Sequence, residues 1–371
     1  MYDDIRPYND AEAAAALKRA SNNRLMEQIS AFLFPGKDPD ILRNTLNTIA
    51  SVDDFQTRVM YPAVGAILGK TTKGLTYEGL RYFSGGSCYT MLSSHRDIVL
   101  DSAFIQYIFK DHGLPLSEIA VGDNLIYNQF VEDLMRSNRM IKVTRGTTSR
   151  QLYETSRTLS SYIRMRVTDE QPASVWISQR NGRTKDGCDQ TGQGLLKMLS
   201  MSGSGDFTEN MRALRIMPVA ISYEIEPCGI RKAYEVYVKR MMGSYVKRPG
   251  EDLESVVSGI LQQKGRVHVA FCKPISEDEL KKCAGEGKNE CFRALAQLID
   301  DRILAAWKIW PFNIAAAEML EGRPVSDRQV TADFERYLTE ELRTLPLSGN
   351  RRPIRDILIS IYATPALRKG F

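Results

Sequence analysis

Between about residues 76 and 275, the chain alternates short apolar runs with amphipathic helical patterns. Six runs rich in β-branched or aromatic residues are candidate strands: Ser87–Leu92, Glu118–Val121, Met140–Val143, Ser174–Ile177, Ile216–Ser222 and Arg266–Cys272. Patterns of helical period separate them, at about 98–111, 128–137, 148–166, 208–214, 229–242 and 251–263. Strands that alternate with helices are typical of an α/β layer with parallel strands. The alternation therefore predicts an α/β fold with a mixed, mainly parallel sheet flanked by helices.

Helical patterns flank this layer on both sides. Before it, apolar residues recur at helical spacing over about residues 10–70. After it, the same spacing returns near 289–320, 326–344 and 352–363. We therefore predict three regions: a helical N-terminal region at 1–75, an α/β domain at 76–275 and a helical C-terminal region at 276–371.

The composition is that of an ordinary globular protein, with 43% apolar and 26% charged residues. The 50 Lys and Arg against 45 Asp and Glu give a net charge of +5, which is too small to predict nucleic-acid binding but suits an anionic substrate or membrane surface. No apolar run reaches the roughly 18 residues of a spanning helix, and the first residues lack a signal-peptide pattern. The six cysteines form no CxxC pair, which indicates free thiols in a reducing compartment. We expect a cytoplasmic protein, peripheral on the inner face of the membrane, that binds no nucleic acid.

Of the three histidines, His95 stands where α/β sheets bind ligands. It follows the apolar run that ends at Leu92 and precedes a helical pattern that begins near Ile98, so it lies at the carboxyl end of a predicted strand. His112 is predicted at a helix end and His268 within a strand, where structural roles are more common. His95 is therefore the candidate catalytic histidine.

Two aspartates, Asp97 and Asp101, are candidate partners of His95. Asp101 falls on the apolar stripe of the predicted helix, three residues after Ile98 and four before Ile105. A carboxylate on a buried face is costly unless it is paired. A histidine oriented by an aspartate has the arrangement of a general base. The residues fit equally an exposed Asp101 and an Asp97 that caps the helix, so both interpretations stay open.

Four segments, in this order, resemble those of the glycerol-3-phosphate and 1-acylglycerol-3-phosphate acyltransferase family. That family carries a His-x4-Asp element, a block ending in basic residues, a block of the type Phe-x-Glu-Gly-x-Arg-Ser-Arg and a block of the type Val-Pro-Val-x-Ile-x-Tyr-Glu. The corresponding segments are SSHRDIVLD at 93–101, MIKVTRG at 140–146, VWISQRNGRTK at 175–185 and IMPVAISYE at 216–224. The resemblance covers about residues 85–225.

The sequence departs from the family pattern in two of these segments. Five residues separate His95 from Asp101, and Leu100 stands where the family's Asp falls. Asp101 is our choice of partner, and Asp97 is the alternative. The third segment has no Glu, so the match of its basic residues to the family's arginines stays open.

The resemblance implies transfer of a fatty acyl group from a thioester, either acyl-CoA or acyl-carrier protein, to the hydroxyl of glycerol 3-phosphate. His95 would be the general base, oriented by Asp101, with no metal and no cofactor beyond the acyl donor. The resemblance also implies substrate-binding residues: Arg96, Arg145, Arg180, Arg183, Lys185 and Glu224. Of these, Glu224 either binds a polar group or closes an ion pair.

Two other functions stay open at this point. The 1-acyl form of glycerol 3-phosphate is the alternative acceptor, although the Tyr223–Glu224 ending of the fourth segment favours glycerol 3-phosphate itself. The departures from the family pattern also fit a catalytically silent module that binds a lipid or an acyl carrier.

The basic residues are concentrated in one segment. Residues 231–248 hold six Lys and Arg against a single acidic residue, Glu235, with Tyr and Met interleaved. Such an amphipathic basic face suits an anionic membrane or an acidic acyl carrier. It also fits a solvated helix.

Overall fold

The computed structural model describes residues 2–144, 148–287, 290–345 and 350–371. Its centre is one sheet of seven strands: β1 Thr72–Glu78, β2 Thr90–Ser93, β3 Glu118–Gly122, β4 Met140–Val143, β5 Val175–Ser178, β6 Ile216–Tyr223 and β7 Gly265–Phe271. Their order across the sheet is β1-β7-β6-β2-β5-β3-β4, which places β2 in the middle.

Five of the strands run in one direction. Strand β2 pairs in parallel with β5 and β6, and β3 pairs in parallel with β4 and β5. Strand β7 is antiparallel to β6 and parallel to β1, so β1 and β7 run against the others. The prediction of an α/β fold with a mixed, mainly parallel sheet is confirmed.

Strand β1 is absent from the sequence prediction. It lies at the edge of the sheet with most of its residues exposed, and its pairing shifts register between Thr72 and Gly74. An exposed edge strand with an irregular register lacks the continuous apolar run that marks a buried strand. It begins inside the stretch assigned to the helical N-terminal region.

Seventeen α-helices surround the sheet in the described ranges. They are α1 Asp10–Ala20, α2 Met26–Leu33, α3 Ile41–Leu46, α4 Val52–Phe55, α5 Tyr61–Thr71, α6 Leu100–Asp111, α7 Gln129–Ser137, α8 Ser149–Thr168, α9 Gln193–Ser200, α10 Phe207–Ala213, α11 Gly229–Met242, α12 Glu251–Leu261, α13 Glu277–Gly285, α14 Glu290–Ala306, α15 Pro311–Glu321, α16 Arg328–Arg343 and α17 Arg352–Arg368. A π-helical turn at Gln56–Met60 precedes α5, and 3₁₀ turns lie at Leu80–Gly86 and Asp123–Leu125. No helix of the described part of the chain is long and apolar enough to cross a membrane.

Side chains of the central strands alternate between two apolar cores, as the period of two requires. Met91 and Trp176 point to the core that the sheet shares with α5 and α6. Leu92 and Ile177 point to the opposite core, which α8, α9 and α14 cover. The central strands are thus buried on both faces, as the strands of parallel sheets are.

The terminal helices pack onto this layer. Helices α15, α16 and α17 form an apolar core with α11, whereas α14 belongs to the core under the sheet. In the loop after β5, Gly187 has a φ of +78°, and an added Cβ would lie 2.3 Å from the Ile361 carbonyl oxygen of α17. Only glycine permits this approach, so the C-terminal helices lie directly against that loop. The three predicted region boundaries stay a prediction.

Candidate active site

The site begins where the central strand ends. Strand β2 is fully buried, and the chain leaves it through Ser94, whose Oγ accepts a hydrogen bond from the backbone N–H of Ile221 on β6, at 2.9 Å. The next residue, His95, emerges at the carboxyl edge of five parallel strands with 14% of its side chain exposed. This edge is where open α/β sheets bind ligands.

His95 is hydrogen-bonded to Asp101. The distance from Nδ1 of His95 to Oδ2 of Asp101 is 2.9 Å, and the Asp101 side chain is completely buried. The same oxygen accepts the backbone N–H groups of Arg96, at 2.6 Å, and Asp97, at 3.0 Å. Because helix α6 begins only at Leu100, the intervening turn folds around the carboxylate, and this absorbs the extra residue of the His-x5-Asp spacing.

The second oxygen of Asp101 accepts a hydrogen bond from Tyr223 on β6. The distance from the phenol oxygen to Oδ1 is 2.7 Å, and Tyr223 is buried. Burial raises the pKa of Tyr223 well above its usual value, and the charge of Asp101 acts in the same direction. The phenol therefore stays a donor at neutral pH.

This arrangement decides which imidazole nitrogen is available. With Nδ1 directed at a carboxylate that accepts from four donors, the proton lies on Nδ1 and Nε2 carries the free lone pair. Among the described residues, no group is hydrogen-bonded to Nε2 of His95. The exposed part of the ring is thus able to accept a proton.

Asp97 has a different role from Asp101. Its Oδ1 accepts the backbone N–H groups of Val99, at 2.9 Å, and Leu100, at 2.8 Å, so it caps the start of α6. Its Oδ2 is buried and has no hydrogen-bond partner among the described residues. Burial raises the pKa of the Asp97 carboxyl, and so does the neighbouring charge of Asp101. The structure brings Asp101, not Asp97, within hydrogen-bond distance of His95.

The indole of Trp176, on β5, forms one wall beside the imidazole. Its ring meets the His95 ring nearly edge-on, with centroids 5.7 Å apart. Trp176 pairs in register with Ile119 on β3, so both side chains point to the same face of the sheet.

A shallow cleft opens on that face, next to Ile119. It lies between the π-helical turn with α5 on one side and α6 on the other, over β3 and β4, and its lining is mainly apolar: Met60, Val64, Val99, Ala103, Ile119 and Met140. Two of its lining residues lie near the site, since Ile119 pairs with Trp176 in the sheet and Val99 belongs to the turn after His95.

Of the predicted cations on the loop after β5, Arg183 lies next to a residue that contacts the His95 backbone. The N–H of its neighbour Thr184 donates to the His95 carbonyl at 2.7 Å, so the loop after β5 folds onto the turn that contains His95. Nη1 of Arg183 is buried, and among the described residues it has no hydrogen-bond partner. A buried guanidinium nitrogen without a partner favours a bound anion.

The other cations of that loop are partly engaged. Lys185 is ion-paired with Glu235 of α11, and burial lowers the pKa of Lys185 despite this partner. Arg180 is 25% exposed and lies 3.7 Å from the Asp186 carboxylate. Arg145 lies outside the described residues.

Two predicted substrate-binding residues are used inside the protein instead. Arg96 is 1% exposed and binds the carboxylates of Asp189, at 2.8 Å, and Glu226, at 3.2 Å. Glu224 forms an ion pair with Arg266 at 2.7 Å, which is the second of the two roles considered for it. For Arg96 the physical reason is its burial, since a buried charge needs a partner.

Sequence reasoning missed Tyr223 and Trp176 as parts of the site. Tyr223 shares the strand face of Val219 and Ile221, and that face points to α6 and hence to Asp101. The period of two along β6 carries that signal. For Trp176, nothing in the sequence indicates that its ring meets His95.

Comparisons with known proteins find little. No model of a known protein family matches the chain, and no curated protein matches it. Among solved structures, the chain is similar to the 1-acyl-sn-glycerophosphate (LPA) acyltransferase PlsC from Thermotoga maritima, at 11% identity and a TM-score of 0.39, over 81% of this chain and 98% of that chain. The similarity is remote in both sequence and structure.

The described residues contain no group of three or more His, Cys, Asp or Glu side chains placed to hold a metal ion. The site brings together a histidine with a free Nε2, the buried guanidinium nitrogen of Arg183 and an apolar cleft nearby.

Proposed function

We propose that the protein is an acyltransferase that moves a fatty acyl group from a thioester to the hydroxyl of glycerol 3-phosphate. The observation that carries this proposal is the 2.9 Å hydrogen bond between His95 and Asp101 at the carboxyl edge of the central strand, which leaves Nε2 of His95 free. The four segments that resemble the acyltransferase family supply the reaction class.

The proposed reaction needs one proton acceptor and no acyl-enzyme. Nε2 of His95 takes the proton of the acceptor hydroxyl as its oxygen attacks the thioester carbonyl carbon. The tetrahedral intermediate then expels the thiolate by breaking the carbon–sulfur bond, and the imidazolium returns the proton to sulfur. The Asp101 carboxylate holds the imidazole in one orientation and stabilises its positive charge during the transfer.

Direct transfer is favoured because the two serine hydroxyls next to His95 are hydrogen-bonded to backbone groups and not to the imidazole. Ser93 Oγ donates to the Ser94 carbonyl at 2.8 Å, and Ser94 Oγ accepts from Ile221. Among the described residues, no serine hydroxyl or cysteine thiol is hydrogen-bonded to Nε2 of His95. A nucleophilic serine would need that bond to be activated.

The apolar cleft suits the acyl chain of the donor. Its lining from Met60 and Val64 on one side and Val99 and Ala103 on the other offers methyl and methylene groups along α6. Burial of a chain there contributes about 0.8 kcal/mol per CH₂ group. The thioester would lie at the Val99 end of the cleft, next to the turn that follows His95.

Arg183 is our first choice for the phosphate of the acceptor, since its Nη1 is buried and unpartnered among the described residues. Arg180 and Lys185 lie on the same loop, and Arg145 completes the set that the resemblance implies. Lys185 would have to exchange Glu235 for the phosphate. Acyl-CoA and acyl-carrier protein are the two proposed donors, and no cofactor or metal enters the proposed reaction.

The 1-acyl form of glycerol 3-phosphate remains the second candidate acceptor. The Tyr223–Glu224 ending favoured the unacylated acceptor in the sequence, but Tyr223 donates to Asp101 and Glu224 pairs with Arg266. The choice of glycerol 3-phosphate therefore depends on the resemblance alone.

A transfer assay tests the proposal directly. Purified protein is supplied with palmitoyl-CoA or palmitoyl-acyl-carrier protein and with either glycerol 3-phosphate or its 1-acyl form, and acylated product is measured. We expect product with glycerol 3-phosphate and none in His95→Ala. Product only with the 1-acyl form would establish the alternative acceptor, and product with neither would reject the enzyme in favour of a silent binding module.

Substitution of each aspartate tests which of them orients His95 and which caps helix α6. Asp101→Asn keeps the shape but loses the charge that stabilises the imidazolium, so kcat should fall by about 10³-fold or more. Asp97→Asn keeps an oxygen that can cap α6, so kcat should stay within about fivefold of the parent. A larger loss in Asp97→Asn than in Asp101→Asn would show that the dyad is wrongly assigned.

A further inference from the structure

The end of α11 and its connection to α12 present exposed apolar side chains to solvent. Met241 is 68% exposed, Met242 is 78% exposed and Val246 is 86% exposed. They project from a continuous stretch, 239–250, of which only Tyr245 is partly buried. We call this stretch the α11–α12 tip. Three large apolar side chains so close together on one projecting turn are uncommon on the surface of a monomeric protein.

The tip is positively charged. The segment from 236 to 250 contains Lys239, Arg240, Lys247 and Arg248 and no acidic residue. Lys247 and Arg248 are ion-paired with acids of α12, whereas Lys239 and Arg240 are exposed and have no ion pair among the described residues. Two unpaired cations thus stand next to Met241 and Met242.

Helix α12 extends the apolar surface. Leu253 is 46% exposed, Val257 is 47% exposed and Leu261 is 52% exposed. A spacing of four residues places these three on one face of the helix. The opposite face is buried, since Ser255 and Gly259 lie inside the protein.

This surface adjoins the catalytic edge of the sheet. An added Cβ on Gly259 of α12 would lie 2.2 Å from Oδ2 of Asp97, so α12 touches the turn that holds His95. Asn124, in the loop after β3, donates to Asp252 of α12 at 3.1 Å. The same loop carries Tyr127, which is 58% exposed.

We propose that the α11–α12 tip and the exposed face of α12 dock on an anionic lipid bilayer. Methionine and valine side chains on a convex tip can enter the acyl boundary of a bilayer, while Lys239 and Arg240 remain among the anionic headgroups. An acidic protein partner would match the charge but would need a concave surface for the projecting side chains. The proposal stands on the surface itself and does not depend on the acyl-transfer reaction.

Vesicle binding tests the docking surface. The full chain is sedimented with vesicles of phosphatidylcholine alone or with about 30 mol% phosphatidylglycerol, since an anionic surface attracts each nearby Lys or Arg by about 1 kcal/mol. We expect binding to the anionic vesicles, reduced about tenfold in a Met241→Ser, Met242→Ser, Val246→Ser variant and about tenfold in Lys239→Gln, Arg240→Gln. The matched control is Leu320→Ser, Val325→Ser, which changes two apolar residues that are each 48% exposed elsewhere.

A tryptophan placed on the tip reports insertion. The three native tryptophans are at most 3% exposed, so brominated lipid should quench only an added indole. We expect vesicles of brominated phosphatidylglycerol to quench Met242→Trp and not Leu320→Trp. Equal quenching of the two variants, binding unaffected by the tip substitutions, or binding of the tip to acyl-carrier protein without binding to vesicles would each overturn the proposal.

Discussion

Asp101 is the residue that organises the candidate site. Its carboxylate accepts hydrogen bonds from the His95 imidazole, two backbone N–H groups and the Tyr223 phenol, and none of its surface is exposed. A fully buried carboxylate is stable only with such a set of donors. Three of the four donors come from its own turn, and Tyr223 alone reaches it from a different strand.

Tyr223 is therefore expected to position the dyad. Tyr223→Phe removes one hydrogen bond to an ionised group, worth about 1.5–3 kcal/mol, so kcat should fall about tenfold or more with little change in KM. Both constants are measured in the transfer assay. In an Asp101→Asn background, the same substitution should have little further effect, because the two residues act through one hydrogen bond.

Tyr162→Phe is the matched control for that experiment. Tyr162 is likewise buried and donates to a carboxylate, Glu118, at 2.7 Å, but away from His95. The Tyr162→Phe variant should lose about as much stability as Tyr223→Phe and should keep the kcat of the parent protein. Equal losses of kcat in both variants would mean that Tyr223 acts only through folding.

At the scale of elements, helix α12 packs against the turn between His95 and α6 and holds it in place. Gly259 lies against Asp97, whose Oδ1 caps α6, and no side chain fits between them. Glycine is poor in a helix interior, by about 1 kcal/mol relative to alanine. Its presence here is explained by the close approach of α12 to the cap of α6.

Gly259→Ala should therefore destabilise the protein, although alanine is a better helix former than glycine. The added Cβ would lie 2.2 Å from Oδ2 of Asp97, so α12 or the turn must move, at a cost of about 1–3 kcal/mol. Gly69→Ala is the control, because nothing lies within 4 Å of that Cβ in α5, and it should stabilise by about 1 kcal/mol. Urea unfolding measures both. If Gly259→Ala were as stable as Gly69→Ala, the close approach would be refuted.

At the scale of the whole molecule, periodicity predicted the buried layer and could not predict the contacts between distant segments. Six of the seven strands, β2 to β7, and the position of His95 follow from apolar runs, because each of these strands places apolar side chains in the core. The partly exposed β1 carries no such run. The burial of Arg96 depends on Asp189 and Glu226, which lie 93 and 130 residues further along the chain. No local pattern encodes such a pairing.

Another buried carboxylate, Asp300 of α14, joins the C-terminal helices to the loop after β5. Its Oδ1 accepts the backbone N–H of Thr191, at 2.7 Å, and the Thr191 hydroxyl, at 2.6 Å. Burial raises the pKa of Asp300 from 3.8 to about 6. The folded state therefore favours the neutral acid, and the stability that Asp300 contributes is full at low pH and is lost as the pH rises through about 6.

Asp300→Asn should remove this loss, because the amide is neutral at every pH and its oxygen can still accept from Thr191. At pH 8 we expect the variant to be more stable than the parent by about 2 kcal/mol, since each pKa unit corresponds to about 1.4 kcal/mol and the amide accepts weaker hydrogen bonds. Near pH 4 the two proteins should unfold at nearly the same urea concentration. Urea unfolding at both pH values measures the difference. A constant difference across the range would show that the ionisation of Asp300 does not oppose folding, and that its contact with Thr191 acts through hydrogen bonding alone.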